Sequence, residues 1–170
     1  MDWEKVPLII SVIGANEPSE KIAQLAEQVG YELGKRRLVL VCGGLGGVME
    51  AACRGAKMAG GTTIGILPGS DPNTANPWVD IPICTGISYA RNIIVVKTGR
   101  AVIAVGGAYG TLSEIAHALA DNLPVVALDT WKFARDGLED SSMIKASTAA
   151  EAVDLAVKAA TSRNHNSTGR

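Results

Sequence analysis

A single-domain, Rossmann-like, doubly wound α/β fold, with a mainly parallel sheet and helices on both faces, is predicted by three observations. Short β-branched runs alternate along the chain with segments of helical period. The runs are almost continuously apolar, as strands covered on both faces are. Glycines gather just after these runs instead of being scattered. The 170 residues suit one domain, assigned to residues 1–161. The remaining 162–170, rich in Ser, Asn, Arg and Gly, have no apolar face and are expected to be a disordered tail.

In chain order, residues 7–13 read as the first strand. A helix follows with Ile22, Leu25, Ala26, Val29 and Leu33 on one face, Ser19 as its N-cap and an end near Gly34. Residues 38–42 form the second strand, and a helix over 47–59 is stopped by Gly60 and Gly61 as a C-cap pair. Residues 62–67 form the third strand. Ile81–Cys84 is a weaker one, in which Pro82 argues for an edge or a strand start. A helix over roughly 88–98 leads to a strand at 101–105, and a helix at 111–121 leads to a strand at 124–128. A last helix at 149–161 presents Ala149, Ala152, Val153, Ala156, Val157 and Ala160 on one face.

Composition narrows the function. Apolar residues make up 47% and charged residues 19%, which excludes disorder over most of the length. Sixteen Lys and Arg against seventeen Asp and Glu leave a net charge of −1, without the basic excess of a chain held to nucleic acid by phosphate neutralisation. Cys42, Cys53 and Cys84 cannot all pair with one another and show no metal-ligand spacing. A reduced compartment and no metal are expected. The opening Met1-Asp2-Trp3-Glu4-Lys5 fits neither a signal peptide nor a spanning helix, so the expectation is a soluble cytoplasmic protein without membrane or nucleic-acid partners.

The unusual number is 19 glycines. In an open parallel sheet, ligands bind outside the carboxyl ends of the strands, and the glycines concentrate there. Gly43, Gly44, Gly46 and Gly47 run into the second helix, with Met49 in its first turn. Gly106, Gly107 and Gly110 surround Ala108 and Tyr109 and lead into Thr111. Gly14 and Asn16 follow the first strand. Bare backbone beside a helix N-terminus is a ready phosphate cradle, and two such loops at neighbouring strand ends favour an anion site over tight turns alone. Neither loop has the Gly-Lys-[Ser/Thr] ending of a triphosphate loop or the dinucleotide fingerprint.

Two side chains stand out beside those loops. Glu114 is read in the first turn of a helix, aimed at ligand or serving as the N3 acid of a capping box with Thr111. Thr111 is equally a cap and a phosphate donor. Arg91 begins an apolar helix, where its charge is out of place. Ser113 and His117 lack a third partner for a triad, and Cys42 reads as a small buried hydrophobe.

Gly43-Gly44-x-x-Gly47-Val48-Met49, Arg91-Asn92 and Gly107-Ala108-Tyr109-Gly110-Thr111-x-x-Glu114 resemble the paired motifs of the LONELY GUY family, Rossmann-like proteins long called lysine decarboxylase-like. The likeness spans roughly residues 8–128. It implies hydrolysis of the N-glycosidic bond of a nucleoside 5′-monophosphate to base and ribose 5-phosphate, with Arg91 and Glu114 as the catalytic couple. It also implies a homodimer and no cofactor. Gly14, Asn16, Gly43, Gly44, Gly46, Gly47, Met49, Asn92, Gly107, Tyr109, Gly110 and Thr111 are the expected ligand and phosphate contacts. Three departures, Cys42 and Asn92 within the motifs and Gly106-Gly107-Ala108 for the family's Pro-Gly-Gly, are similar to the neighbouring branch of molybdenum cofactor carrier proteins. That branch implies a second function, a non-catalytic carrier or sensor of a phosphorylated pterin, with molybdenum cofactor as cargo. A scaffold with a degenerate site is the third reading.

Overall fold

The structure, a computed structural model, describes residues 7–166. Six of its strands are those expected: β1 (Ile9–Gly14), β2 (Val39–Cys42), β3 (Thr62–Leu67), β4 (Ile81–Cys84), β5 (Ala101–Val105) and β6 (Val125–Leu128). The helices are α1 (Glu20–Lys35), α2 (Val48–Met58), α3 (Asn92–Thr98), α4 (Tyr109–Ala120) and α5 (Ala149–Asn166). A hairpin of β7 (Ala134–Arg135) with β8 (Leu138–Glu139), and a further strand β9 (Ile144–Ala146), complete the set.

The main sheet has the order β4-β3-β2-β1-β5-β6-β9, and every pair in it is parallel. The chain winds outward from β1 to β4, returns to place β5 against the other side of β1, and winds outward again. The reversal between β1 and β5 is the topological switch point, where a crevice opens at the strands' carboxyl ends. β4 lies at the sheet edge, as Pro82 requires.

Two apolar layers cover the sheet. One packs α1, α2 and α5 through Val29, Leu33, Ala52 and Ala156 onto Ile10, Leu40 and Ile103. The other packs α3 and α4 through Val95, Val96, Ile115 and Ala118 onto Ile13, Val41 and Val102. Each fully buried Val, Leu or Ile side chain contributes about 1.5–3 kcal/mol. Ser11 is buried in the central strand and donates its hydroxyl to the Val95 carbonyl at 2.8 Å, which ties β1 to α3.

The helix ends follow their local chemistry. Ser19 caps α1 by accepting the Ile22 N–H. Gly60, at φ +74°, and Gly61 close α2 by donating to the carbonyls of Lys57 and Ala56 at 3.0 and 2.8 Å, the Schellman arrangement. α1 and α2 meet without intervening side chains. A Cβ on Gly30 would lie 1.9 Å from the Ala52 carbonyl oxygen, and one on Gly55 would lie 1.9 Å from that of Glu27.

Three expectations need correction. The helix expected over 88–98 is a 3₁₀ turn at Ser88–Arg91 followed by α3, and its first residue, Ser88, has φ +53°, outside the right-handed helical region. The tail expected from Ser162 is helical as far as Asn166, since each added residue of an existing helix gains a bond for one residue fixed. Residues 167–170 lie outside the described residues, as do 1–6. Finally, β9 escaped the sequence reading and extends the sheet beyond β6. Among the described residues, no helix is long and apolar enough to cross a membrane.

Candidate active site

At the switch point a cleft of about 350 Å³ is lined by the end of β1 with Ala15 and Asn16 after it, by Gly43, Leu45 and Met49, by Tyr89, Arg91 and Asn92, and by Ala108 and the start of α4. Of the residues expected to bind ligand, Gly14, Asn16, Gly43, Met49, Asn92, Gly110 and Thr111 line it, together with Arg91 and Glu114. Gly44, Gly46, Gly47, Gly107 and Tyr109 do not.

Their positions show why. Gly47, at φ +65°, leaves its Cβ direction 2.2 Å from the Asn16 carbonyl oxygen, and Val48 donates to Ala15 at 3.0 Å. This glycine lets the β2–α2 loop lie against the β1 loop. Gly44 meets the Leu67 side chain and the Gly65 backbone in the same way. Gly107 approaches Trp131, and the Trp131 Nε1–H donates to the Ala108 carbonyl at 3.3 Å. These glycines are packing devices that shape the cleft's rims. Gly110 differs, because a Cβ there would meet nothing within 4 Å, and it leaves the N-terminus of α4 bare toward the cleft.

The helix beginning also corrects the expected capping box. α4 starts at Tyr109, with Ala108 as N-cap. Thr111 is therefore the third helical residue, and its hydroxyl accepts the Ala108 N–H at 3.4 Å. Glu114 falls in the second turn, 6% exposed. It is not a capping acid, and its carboxylate is turned into the cleft wall.

Arg91, 8% exposed, faces it. The β4–α3 turn carries the guanidinium under the β2 loop, where Nη2 donates to the Gly43 carbonyl at 3.3 Å and Nη1 to Asn92 Oδ1 at 2.5 Å. Gly43 leaves the guanidinium this room, since a Cβ would stand 2.6 Å from Nη2 and displace it. Nη1 lies 3.9 Å from Glu114 Oε1, and the buried Nε has no partner. Asn92 also reaches Ser113 on α4 at 3.5 Å, so it links both walls. Burial pushes the Glu114 carboxyl up to about 7 against the opposing pull of Arg91, and burial likewise lowers the Arg91 guanidinium. A carboxyl that changes charge near neutrality in a cleft is suited to proton transfer.

Arg91→Met keeps length and removes charge. The Glu114 titration midpoint should then rise above 7, as followed by carboxyl carbon NMR. A midpoint that stays at 7 or falls would contradict the pairing.

Behind Gly43, the thiols of Cys42 and Cys53 are 3.5 Å apart and buried, and Gly44 donates its N–H to Cys42 Sγ at 3.4 Å. The bond shared with Cys42, with burial added, pushes the Cys53 thiol far above its ordinary range. Both cysteines belong to the packing under the loop. Among the described residues, no group of three or more His, Cys, Asp or Glu could hold a metal. Sequence reasoning missed Leu45, Tyr89 and Ala108 as cleft residues. Tyr89, an aromatic residue just before Arg91, was the signal available.

A family model described as the SLOG cluster4 family matches residues 7–159, from before β1 into α5. A protein of Archaeoglobus fulgidus described as uncharacterized is 46% identical over 70% of this chain and 78% of its own length. A cytokinin riboside 5′-monophosphate phosphoribohydrolase of Mycobacterium tuberculosis is 31% identical over 76% of this chain and 72% of its own. Among solved structures, the molybdenum cofactor binding protein of Rippkaea orientalis superposes with a TM-score of 0.82 at 34% identity, over 91% of this chain and 97% of that one.

Proposed function

The chain belongs to the SLOG cluster4 family, and from that membership and the buried Arg91–Glu114 pair we propose that its cleft binds a phosphorylated, nucleotide-like molecule and hydrolyses the N-glycosidic bond of a nucleoside 5′-monophosphate. The Glu114 carboxyl, raised to about 7 at the cleft wall, carries this reading. The likeness to a phosphoribohydrolase supports it.

In this mechanism the bare N–H groups at the start of α4 and the loop at Gly43 hold the 5′-phosphate, which fixes the ribose against Glu114. The C1′–N bond breaks with its electron pair leaving on the base. Ionised Glu114 stabilises the cationic ribose and takes a proton from the water that adds to C1′. The departing base takes a proton from solvent, Glu114 returns its own to solvent, and the products are free base and ribose 5-phosphate. Arg91 positions Glu114 and keeps part of it ionised. The reaction uses water and these side chains, and calls for no metal or redox group.

The second reading, a carrier of molybdenum cofactor, is favoured by the 2.5 Å bond from Arg91 to Asn92 and by the whole-chain likeness to the molybdenum cofactor binding protein. Asn92 draws the guanidinium away from Glu114 and adds no positive charge. Such a cleft would hold a phosphorylated pterin intact. Pairing of two copies belongs to the same proposal and draws support from the outward Ile94, Ala116 and Ala120, whereas Val95 and Val96 serve the chain's own core.

Incubation with a panel of nucleoside 5′-monophosphates should release free base and equimolar ribose 5-phosphate from at least one of them. No release from any, with retention of a phosphorylated pterin, would replace the hydrolase by the carrier.

A further inference from the structure

We propose that Tyr89 stacks on a planar heterocycle of the ligand and so determines which ligands the cleft accepts. This rests on the cleft binding a phosphorylated, nucleotide-like molecule.

The chain has only three Trp, three Tyr and one Phe. Trp131 and Phe133 pack against the core. Tyr89 and Tyr109, at 84% and 81% exposed, are the most exposed large hydrophobic residues among those described. Tyr89 lines the cleft, whereas Tyr109 does not and has its ring beside Trp131. Aromatic area left in water at a cleft rim is area available to a ligand.

Tyr89 sits on braced backbone. The turn carrying it is pinned to the end of β3 by bonds from Thr85 to Leu67, Gly86 to Gly69 and Ser88 to Pro68, at 3.0–3.1 Å. Ser88 is held at φ +53°, a conformation that persists only where its surroundings impose it. A ring carried on fixed backbone has only its own side-chain torsions to lose on binding.

Arg91 and Glu114 are buried while Tyr89 is exposed; the buried pair and the start of α4 suit phosphate and sugar, and a bare sugar phosphate would leave Tyr89 uncovered. A flat π-system covers it, and stacking works through the ring face, so it tolerates purines and pterins alike.

Equilibrium binding of guanosine 5′-monophosphate and of ribose 5-phosphate, to the parent and to Tyr89→Ala and Tyr89→Phe, tests this. Guanine shares its amino-oxo-pyrimidine ring with pterin, so the probe serves both readings of the site. Tyr89→Ala should weaken the nucleotide about tenfold or more and leave ribose 5-phosphate within twofold, and Tyr89→Phe should bind like the parent. An unchanged nucleotide affinity in Tyr89→Ala, or an equal loss for both probes, overturns the stacking role while leaving phosphate binding intact. Failure of the parent to bind either probe overturns the reading of the cleft, and this proposal with it.

Discussion

Glu114→Gln is expected to lower base release at least about a hundredfold, the usual scale for removing a general base. The amide keeps the shape of the side chain but neither takes a proton nor stabilises a cationic ribose. Under the proposed hydrolysis the parent rate should rise with pH through an inflection near 7, because that mechanism uses the ionised carboxylate and burial delays its ionisation to that range. The same substitution has a separate signature in stability. The folded chain holds the Glu114 proton up to about 7, against an ordinary value of 4.5, so between these limits it binds more protons than the unfolded chain. This contribution is fully present below 4.5, is lost as pH rises toward 7 and is level above it, a change of about 3 kcal/mol. The glutamine variant lacks that slope. Denaturant unfolding at pH 4 and pH 8 should show the variant gaining about 3 kcal/mol on the parent. Curves that shift in parallel would refute a carboxyl raised by burial, whatever the activity.

Gly30→Ala should be among the most damaging single methyls at the described residues, with Gly55→Ala its counterpart across the seam. The methyl at Gly30 lands 1.9 Å from the Ala52 carbonyl oxygen and 2.9 Å from the Ala56 amide, which are backbone atoms that no rotamer change can move. Relief requires α1 and α2 to separate, which strips contact from Ala26, Ala52 and Ala56 along the seam. A loss of about 3 kcal/mol or more follows from overpacking of this kind. That is a large share of the roughly 5–15 kcal/mol a domain possesses, and the variant should melt far below the parent in calorimetry. Gly60→Ala, where a Cβ meets nothing within 4 Å, is the control: it meets only the strain of φ +74° and should cost about 1 kcal/mol.

The parallel order of the sheet was legible because buried strands are long apolar runs and each is followed by a helical period. β9 was not, because Ile144-Lys145-Ala146 offers three residues with a lysine between them, and what makes it a strand is its pairing with β6. The register of α4 was misread for a local reason. Its N-cap is Ala108, which has no capping atom, so Thr111 attracted the assignment that geometry gives to the residue three places earlier. Within the site, the glycine loops were visible but their division of labour was not. Gly44 and Gly47 serve neighbouring loops, a matter of what lies across from them. Arg91 showed as a charge in an apolar run. That it is buried under Gly43 depends on a contact 48 positions away.

The return of the chain to β1 has a consequence during synthesis. β1 is the centre of the finished sheet, yet its β5-facing side has no neighbour until β5 has been made. At about 5–20 residues per second, a nascent chain carries β1 with an unpaired backbone edge for roughly 5–20 seconds, and the first glycine loop is complete long before Glu114 exists. Ligand cannot assist the early part of folding. During that interval the unpaired edge is a template for pairing with other chains, and the risk of aggregation is concentrated in the seconds before the second half of the sheet arrives.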